Sequence, residues 1–224
     1  MSGYFVTGTD TNVGKTYVTC ALARLAVEAG HRVFAFKPIE SGCVQGPDGS
    51  YVGSDQRLLV VASGGWQTGP LRGLYQLPLP AAPLVAAEAA GATIDLELVV
   101  RTAQEGASQG AASFALVEGA GGWRVPITPT ADMGTLARRL GLPVLVVARA
   151  SLGTINHTLL TLEAIRADGL AAAAVVLSQR AEDDPSAAQR NRIEIQRRWP
   201  GEIVILGRSP AALAGLLPAV PRGT

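Results

Sequence analysis

The chain has 224 residues, 48% of them hydrophobic and 17% charged, which fits a globular fold and excludes a disordered chain. Lys and Arg total 19 against 18 Asp and Glu, so the formal net charge of +1 carries no footprint for nucleic acid or an anionic membrane. Two cysteines cannot build a disulfide scaffold or a four-ligand zinc site, and the longest aliphatic run, Leu170–Leu177, is too short to span a bilayer.

The opening MSGYFVTG has no basic or apolar leader pattern, so a cytoplasmic protein is expected. Tyr4–Val6 reads as a buried strand and Lys15–Ala29 as a helix with Val18, Leu22, Leu25 and Ala29 on one face. Val33–Phe36 is a second strand. The stretch from Ser41 to Leu84 is rich in Gly and Pro; it suits a domain linker or long excursions of one domain. Excursions this long are usually functional, so residues 1–224 are read as a single domain. The Ala-rich segments 81–92 and 171–174 fill helix or strand.

Further strands are read at Ser113–Val117, Val144–Val147, Val175–Leu177 and Ile203–Leu206. Helices are read at Met133–Leu140 (capped by Asp132), Thr154–Ala167 and Pro185–Trp199, the last with an Arg-rich solvated face. The tail Leu216–Arg222 is short and broken by Pro. Strand–helix alternation predicts an α/β fold: a mostly parallel sheet covered by helices on both faces.

The strongest signal joins the first strand to the first helix. Thr7-Gly8-Thr9-Asp10-Thr11-Asn12-Val13-Gly14-Lys15-Thr16 is a Gly-bearing turn ending in Gly-Lys-Thr, the context of a P-loop. Backbone N–H groups of such a loop cradle phosphates; Lys15 would reach the β- and γ-phosphates and Thr16 would ligate Mg²⁺. Five residues separate Gly8 from Gly14, one more than the strict pattern, so Thr9 takes the first-glycine position.

A nucleotide site needs carboxylates for the metal at strand ends. Glu118 follows a buried strand, and Gly119, Gly121 and Gly122 behind it suggest close backbone approach; the plainer reading is a carboxylate turning into solvent. Asp55 opens a helix and fits an N-cap as well as a metal ligand. Lys37 closes the second strand, where a buried charge needs a partner such as an anionic ligand, unless it snorkels to the surface.

Together these segments resemble dethiobiotin synthetase, an enzyme family of biotin synthesis. The resemblance rests on Gly8–Thr16, on Lys37-Pro38-Ile39-Glu40-Ser41-Gly42, on Gly53-Ser54-Asp55, on Val117-Glu118-Gly119-Ala120-Gly121-Gly122-Trp123 and on Gly153-Thr154-Ile155-Asn156-His157. It implies a P-loop NTPase-like fold and ATP-dependent ring closure. One amine of 7,8-diaminopelargonic acid takes up CO₂ as a carbamate. The carbamate attacks the γ-phosphate to give a carbamic–phosphoric anhydride, and the second amine then closes the ureido ring, leaving ADP and phosphate.

By the same resemblance Thr11, Lys15 and Lys37 surround the reacting groups, while Thr16, Asp55 and Glu118 hold Mg²⁺. Asn12, Val13, Gly14 and Tyr17, with Gly119, Ala120 and Gly121, accompany the nucleotide. Ser41 contacts the substrate. A homodimer is implied, with Gly153, Thr154 and Asn156 reaching the substrate carboxylate of the other subunit; the plainer reading of 153–157 is a helix start. Ser178 stands where the family carries an adenine-reading Asn, with Gln179 beside it. Ser209, Pro210 and Ala211 fit a base pocket or a surface turn.

Two other classes share the P-loop. A cobyrinate-type synthase would add a glutaminase with a catalytic Cys, and neither Cys20 in a helix nor Cys43 on a loop suits that nucleophile. A partition or positioning ATPase would show a basic surface or a membrane-targeting tail.

Overall fold

The structure is a computed structural model that describes residues 2–109, 112–181 and 183–219. In chain order it runs β1 (Gly3–Gly8), α1 (Lys15–Glu28), β2 (Val33–Phe36), β3 (Ile39–Ser41), β4 (Val44–Gln45), β5 (Tyr51–Val52), α2 (Ser54–Ala62), β6 (Tyr75–Leu77), α3 (Pro83–Ala89) and α4 (Leu96–Gln109). It continues with β7 (Phe114–Gly122), β8 (Pro126–Thr128), β9 (Ala131–Asp132), α5 (Met133–Leu140), β10 (Val144–Arg149), α6 (Thr154–Ala167), β11 (Ala172–Ser178), α7 (Pro185–Gln196) and β12 (Glu202–Leu206). Short 3₁₀ turns lie at Gly69–Arg72 and Pro210–Leu216. Of the tail, Leu216–Ala219 are described and Val220–Arg222 lie outside the described residues.

Six strands form one parallel sheet in the order β12–β11–β10–β1–β7–β2. Side chains alternate along each strand, so neighbours feed opposite layers. Phe5, Phe34 and Phe36 join the layer under α4, α5 and α6. Val6, Val33 and Ala35 join the layer under α1 and α2. Both faces are therefore covered, as the apolar runs predict. The edge strand β2 is closed by side chains: Trp66 Nε1 donates to the Val33 carbonyl at 2.8 Å and Gln67 Nε2 to that of Ala35 at 2.9 Å.

The predicted strands and helices all form, with two differences of substance. The strand read as Ser113–Val117 runs on to Gly122, so Glu118 lies within it rather than after it. Pairing with β1 continues through Val6–Glu118 to Gly8–Gly122, and a register shift absorbs the intervening residues. Helix α4 falls in a region left without an element by sequence. Val99, Val100, Ala103 and Ala107 bury one of its faces, and Asp95 Oδ1 accepts from the Leu98 N–H at 3.1 Å as a cap. The Ser41–Leu84 stretch contains β4, β5, α2 and β6, and Leu77 packs into the Phe34–Phe36 layer.

The chain lays β2 and β7 on one side of β1 and β10, β11 and β12 on the other. The order reverses at β1, and such a switch point leaves a crevice at the carboxyl ends of the strands. The loop after β1, the exit of β2 and the end of β7 meet there.

Candidate active site

The loop between β1 and α1 is shaped by backbone rather than side chains. A Cβ on Gly8 would lie 2.7 Å from the Asp10 carbonyl oxygen and 2.8 Å from Lys15 Nζ, so only glycine fits beneath the folded-back lysine. Gly14, with φ 99°, caps α1 without a side chain, leaving the first N–H groups of the helix for a ligand. Asn12, at φ 60°, is the one non-glycine with positive φ among the described residues, a left-handed position that Asn tolerates. Lys15 is buried and donates to the Asp10 carbonyl at 3.0 Å.

Burial lowers the Lys15 ammonium from its ordinary 10.5 to about 8, against a smaller upward pull from Glu118. Its folded pKa lies below the unfolded one. The buried charge thus costs stability below about pH 8, and the cost fades as pH rises toward 10.5. A polyphosphate beside Lys15 would hold the proton on. Nucleotide binding is then expected to take up a proton above about pH 8, with affinity falling as pH rises. Calorimetric titration in buffers of different ionisation enthalpy measures the uptake; none across that window would place Lys15 away from the phosphates.

Glu118 is fully buried and satisfied on both oxygens. Thr16 Oγ1 donates to Oε1 at 2.8 Å, Thr19 Oγ1 to Oε2 at 2.8 Å, and Lys37 Nζ lies 3.0 Å from Oε1. Lys37, 7% exposed, also pairs with Asp55. Burial pulls the Lys37 ammonium down, but Glu118 and Asp55 outweigh it and hold its pKa above the ordinary value. Lys37 thus does not snorkel, and its protein partners are two carboxylates that sequence did not pair with it. Nor does Asp55 cap α2: Gly53 holds the N-cap position, and the Asp55 carboxylate turns to Lys37.

A cleft of ≈ 780 Å³ gathers Thr11, Asn12, Gly14, Lys15, Thr16, Tyr17, Lys37, Ser41, Asp55, Ala120 and Gly121. Val13 is buried in the layer under α1. A Cβ on Gly119 would lie 3.0 Å from the Phe5 ring, so that glycine serves packing. Ser178 is buried against the loop, with its Oγ 2.6 Å from where a Gly14 Cβ would stand. Gln179 Nε2 donates to the Asp183 carbonyl at 3.3 Å. Ser209, Pro210 and Ala211 open an exposed 3₁₀ turn and do not line the cleft. Gly153, Thr154 and Asn156 open α6 and do not line it either.

Sequence reading passed over Glu40, the Pro80–Pro83 wall, Val125 and Arg180, which line the same cleft. Arg180 Nη2 donates to the Asn12 carbonyl at 3.3 Å. Its place two residues beyond the end of β11 was the available signal.

A family described as an AAA domain (AAA_26) matches residues 2–214. ATP-dependent dethiobiotin synthetase BioD of Anaeromyxobacter dehalogenans strain 2CP-C is 44% identical over 224 residues, covering 99% of this chain and 93% of the relative. The chain belongs to the dethiobiotin synthetase family. The BioD protein of Bacillus thuringiensis strain Al Hakam is 39% identical over 197 residues, 88% of this chain and 78% of that one. Among solved structures, the MinD cell division protein of Aquifex aeolicus aligns with a TM-score of 0.54 at 14% identity, covering 96% of this chain and 85% of that chain. At that identity the likeness is one of fold alone. The partition-type reading is not favoured, because the dethiobiotin synthetase relatives match by sequence along nearly the whole chain. Among the described residues no helix is long and apolar enough to cross a membrane.

Proposed function

We propose that the cleft performs the dethiobiotin synthetase reaction: ATP-dependent carboxylation of 7,8-diaminopelargonic acid and closure of its ureido ring. The convergence of Lys15, Lys37, Thr16, Asp55 and Glu118 at the switch point of the sheet carries this reading.

One substrate amine adds to CO₂ and loses a proton to become a carbamate. A carbamate oxygen then attacks the γ-phosphorus of ATP, and the β–γ bridging oxygen leaves with ADP. The second amine attacks the carbamoyl carbon, loses a proton and expels phosphate, which closes the ring. The protein must hold two anions together and stabilise the charge spread over the transferring phosphoryl group. Two buried ammonium groups at one end of the cleft suit that task, with Lys15 on the β- and γ-phosphates and Lys37 between carbamate and γ-phosphate. Thr11 and Ser41 contact the substrate from the loop and from β3. Pro80, Ala81, Ala82, Pro83 and Val125 give an apolar wall that suits a methylene chain and keeps water from a hydrolysable anhydride.

The donor set fits Mg²⁺. Among the described residues no cluster of three or more His, Cys, Asp and Glu gathers as a metal site. Mg²⁺, however, usually takes one or two carboxylates and fills its shell with phosphates and water. The Lys37 ammonium between Asp55 and Glu118 supports the view that this pair accepts a cation. Thr16, Asp55 and Glu118 would hold the metal, which when bound neutralises charge on the β- and γ-phosphates.

Phosphate release measured with ATP and Mg²⁺ tests the reading. Release is expected only when diamine and bicarbonate are both present. Release that needs neither and responds to DNA or lipid vesicles would contradict it.

The substrate's far carboxylate needs a holder, and residues 153–156 do not line the cleft of their own subunit. A homodimer that brings this segment to the other subunit's cleft answers both points. The fully exposed Leu152 beside it, and the exposed Leu160 on α6, support burial in a second copy. Asn156→Ala is expected to raise the KM for the diamine roughly tenfold, the scale of a hydrogen bond to a charged group, and to leave that for ATP unchanged. Equal changes in both KM values, or in neither, would remove Asn156 from the substrate site.

A further inference from the structure

Glu40 is a carboxylate that the reaction above does not use. It sits on β3, is 5% exposed, and lines the cleft between Lys37 and Ser41 in sequence. Its oxygens meet the start of α2. Oε1 accepts from the Asp55 N–H at 3.0 Å and from Ser54 Oγ at 3.3 Å, and Oε2 accepts from the Gln56 N–H at 2.8 Å. These N–H groups are the second and third of the helix, the ones an N-cap side chain ordinarily satisfies.

Gly53 at the N-cap position has no side chain to do so, and a Cβ there would collide with the Glu40 carboxylate. The cap therefore comes from another strand and carries a full negative charge at the positive pole of the helix. The neighbouring side chain is fixed too. Gln56 Nε2 donates to the Lys37 carbonyl at 3.0 Å, and Gln56 Oε1 accepts from Gln76 Nε2 at 2.6 Å. Asp55 lies between these anchors: its own N–H is held by Glu40, the next residue is bound to the backbone of Lys37, and its carboxylate meets the Lys37 ammonium.

We infer that Glu40 is a positioning residue that acts through Asp55. By capping α2 from β3, it fixes where the Asp55 carboxylate stands relative to Lys37, Glu118 and the bound divalent cation. The inference rests on the reading of Asp55 as a metal ligand. Outer-shell partners of metal-binding carboxylates typically matter by 10–100-fold in metal affinity. Glu40→Ala is thus expected to weaken divalent binding about tenfold and to lower kcat, while the KM for ATP at saturating metal stays within about twofold. Glu40→Gln keeps one acceptor oxygen and is expected to shift both quantities less.

The test measures Mn²⁺ binding by EPR, with a non-hydrolysable ATP analogue present, in the parent, Glu40→Ala, Glu40→Gln, Asp55→Asn and the Glu40→Gln/Asp55→Asn double variant. Circular dichroism selects a temperature at which each is folded. If Glu40 acts through Asp55, the double variant binds Mn²⁺ as weakly as Asp55→Asn alone. Shifts that add in full would mean that Glu40 acts independently and would overturn the inference. So would unchanged affinity in the folded Glu40→Gln and Glu40→Ala proteins beside a weakened Asp55→Asn, which would leave Asp55 as a ligand. Unchanged affinity in Asp55→Asn would instead overturn the ligand reading, and the inference with it. Should Glu40→Ala not fold, Glu40→Gln and the double variant decide.

Discussion

Lys37→Ala is expected to lower turnover by about 10²–10³, the scale of losing one preorganised charge at a reacting oxyanion. The residue is suited to that role by its surroundings. It is buried, and Asp55 and Glu118 keep it protonated across the working pH range. Its removal also strips a cation from a fully buried carboxylate, which costs on the order of 3 kcal/mol of stability. Thr16 and Thr19 still donate to Glu118, so the fold is expected to persist. Lys37→Gln separates the two effects, because it refills the space and keeps a donor. Near-parent turnover in folded Lys37→Gln would remove Lys37 from the chemistry.

Glu118→Gln is expected to give the other large effect, on metal dependence and on stability together. Three side chains meet at this carboxylate on β7: Thr16 at the start of α1, Thr19 one turn later, and Lys37 at the exit of β2. Hard divalent cations favour anionic oxygen, so the Mg²⁺ midpoint is expected to rise at least about tenfold, with metal-free nucleotide binding little changed. Half of the charge pairing of Lys37 is lost as well, and breaking a buried pair costs about 3 kcal/mol or more. For a chain of this length that is a fall of roughly 10 °C in melting temperature. An unchanged Mg²⁺ titration midpoint would show that Glu118 organises the lysine and not the metal.

What sequence reveals here depends on how local the cause is. The β1–loop–α1 unit is legible because Gly8, Gly14 and Lys15 are set by backbone geometry within one short segment. The strands are legible because each is buried on both faces and so carries an unbroken apolar run. Helix α4 is obscured by Gly106, placed in its last turn because a Cβ there would collide with the Phe34 ring, a contact across the fold. The extension of β7 is hidden for a similar reason. Its glycines look like a turn, yet after a break over Gly119–Gly121, where Gly121 takes φ 67°, the strand pairs with β1 again at Gly122. Lys37 stands out in sequence as a charge in need of a partner, but its partners lie 18 and 81 positions away in the chain. The role of Glu40 is equally non-local, since its acceptors serve a helix on the far side of the β4–β5 hairpin.

Fixation of CO₂ into a ring in one cleft, at the expense of ATP, is open to direct measurement. The most direct measurement supplies ¹³C-bicarbonate, ATP, Mg²⁺ and 7,8-diaminopelargonic acid to the purified protein and follows the products by mass spectrometry and ¹³C NMR. The label is expected in a ureido carbonyl, with one phosphate released per ring closed, and Lys37→Gln is expected to lower both together. Phosphate release without labelled ring, or an unlabelled product, would contradict this chemistry.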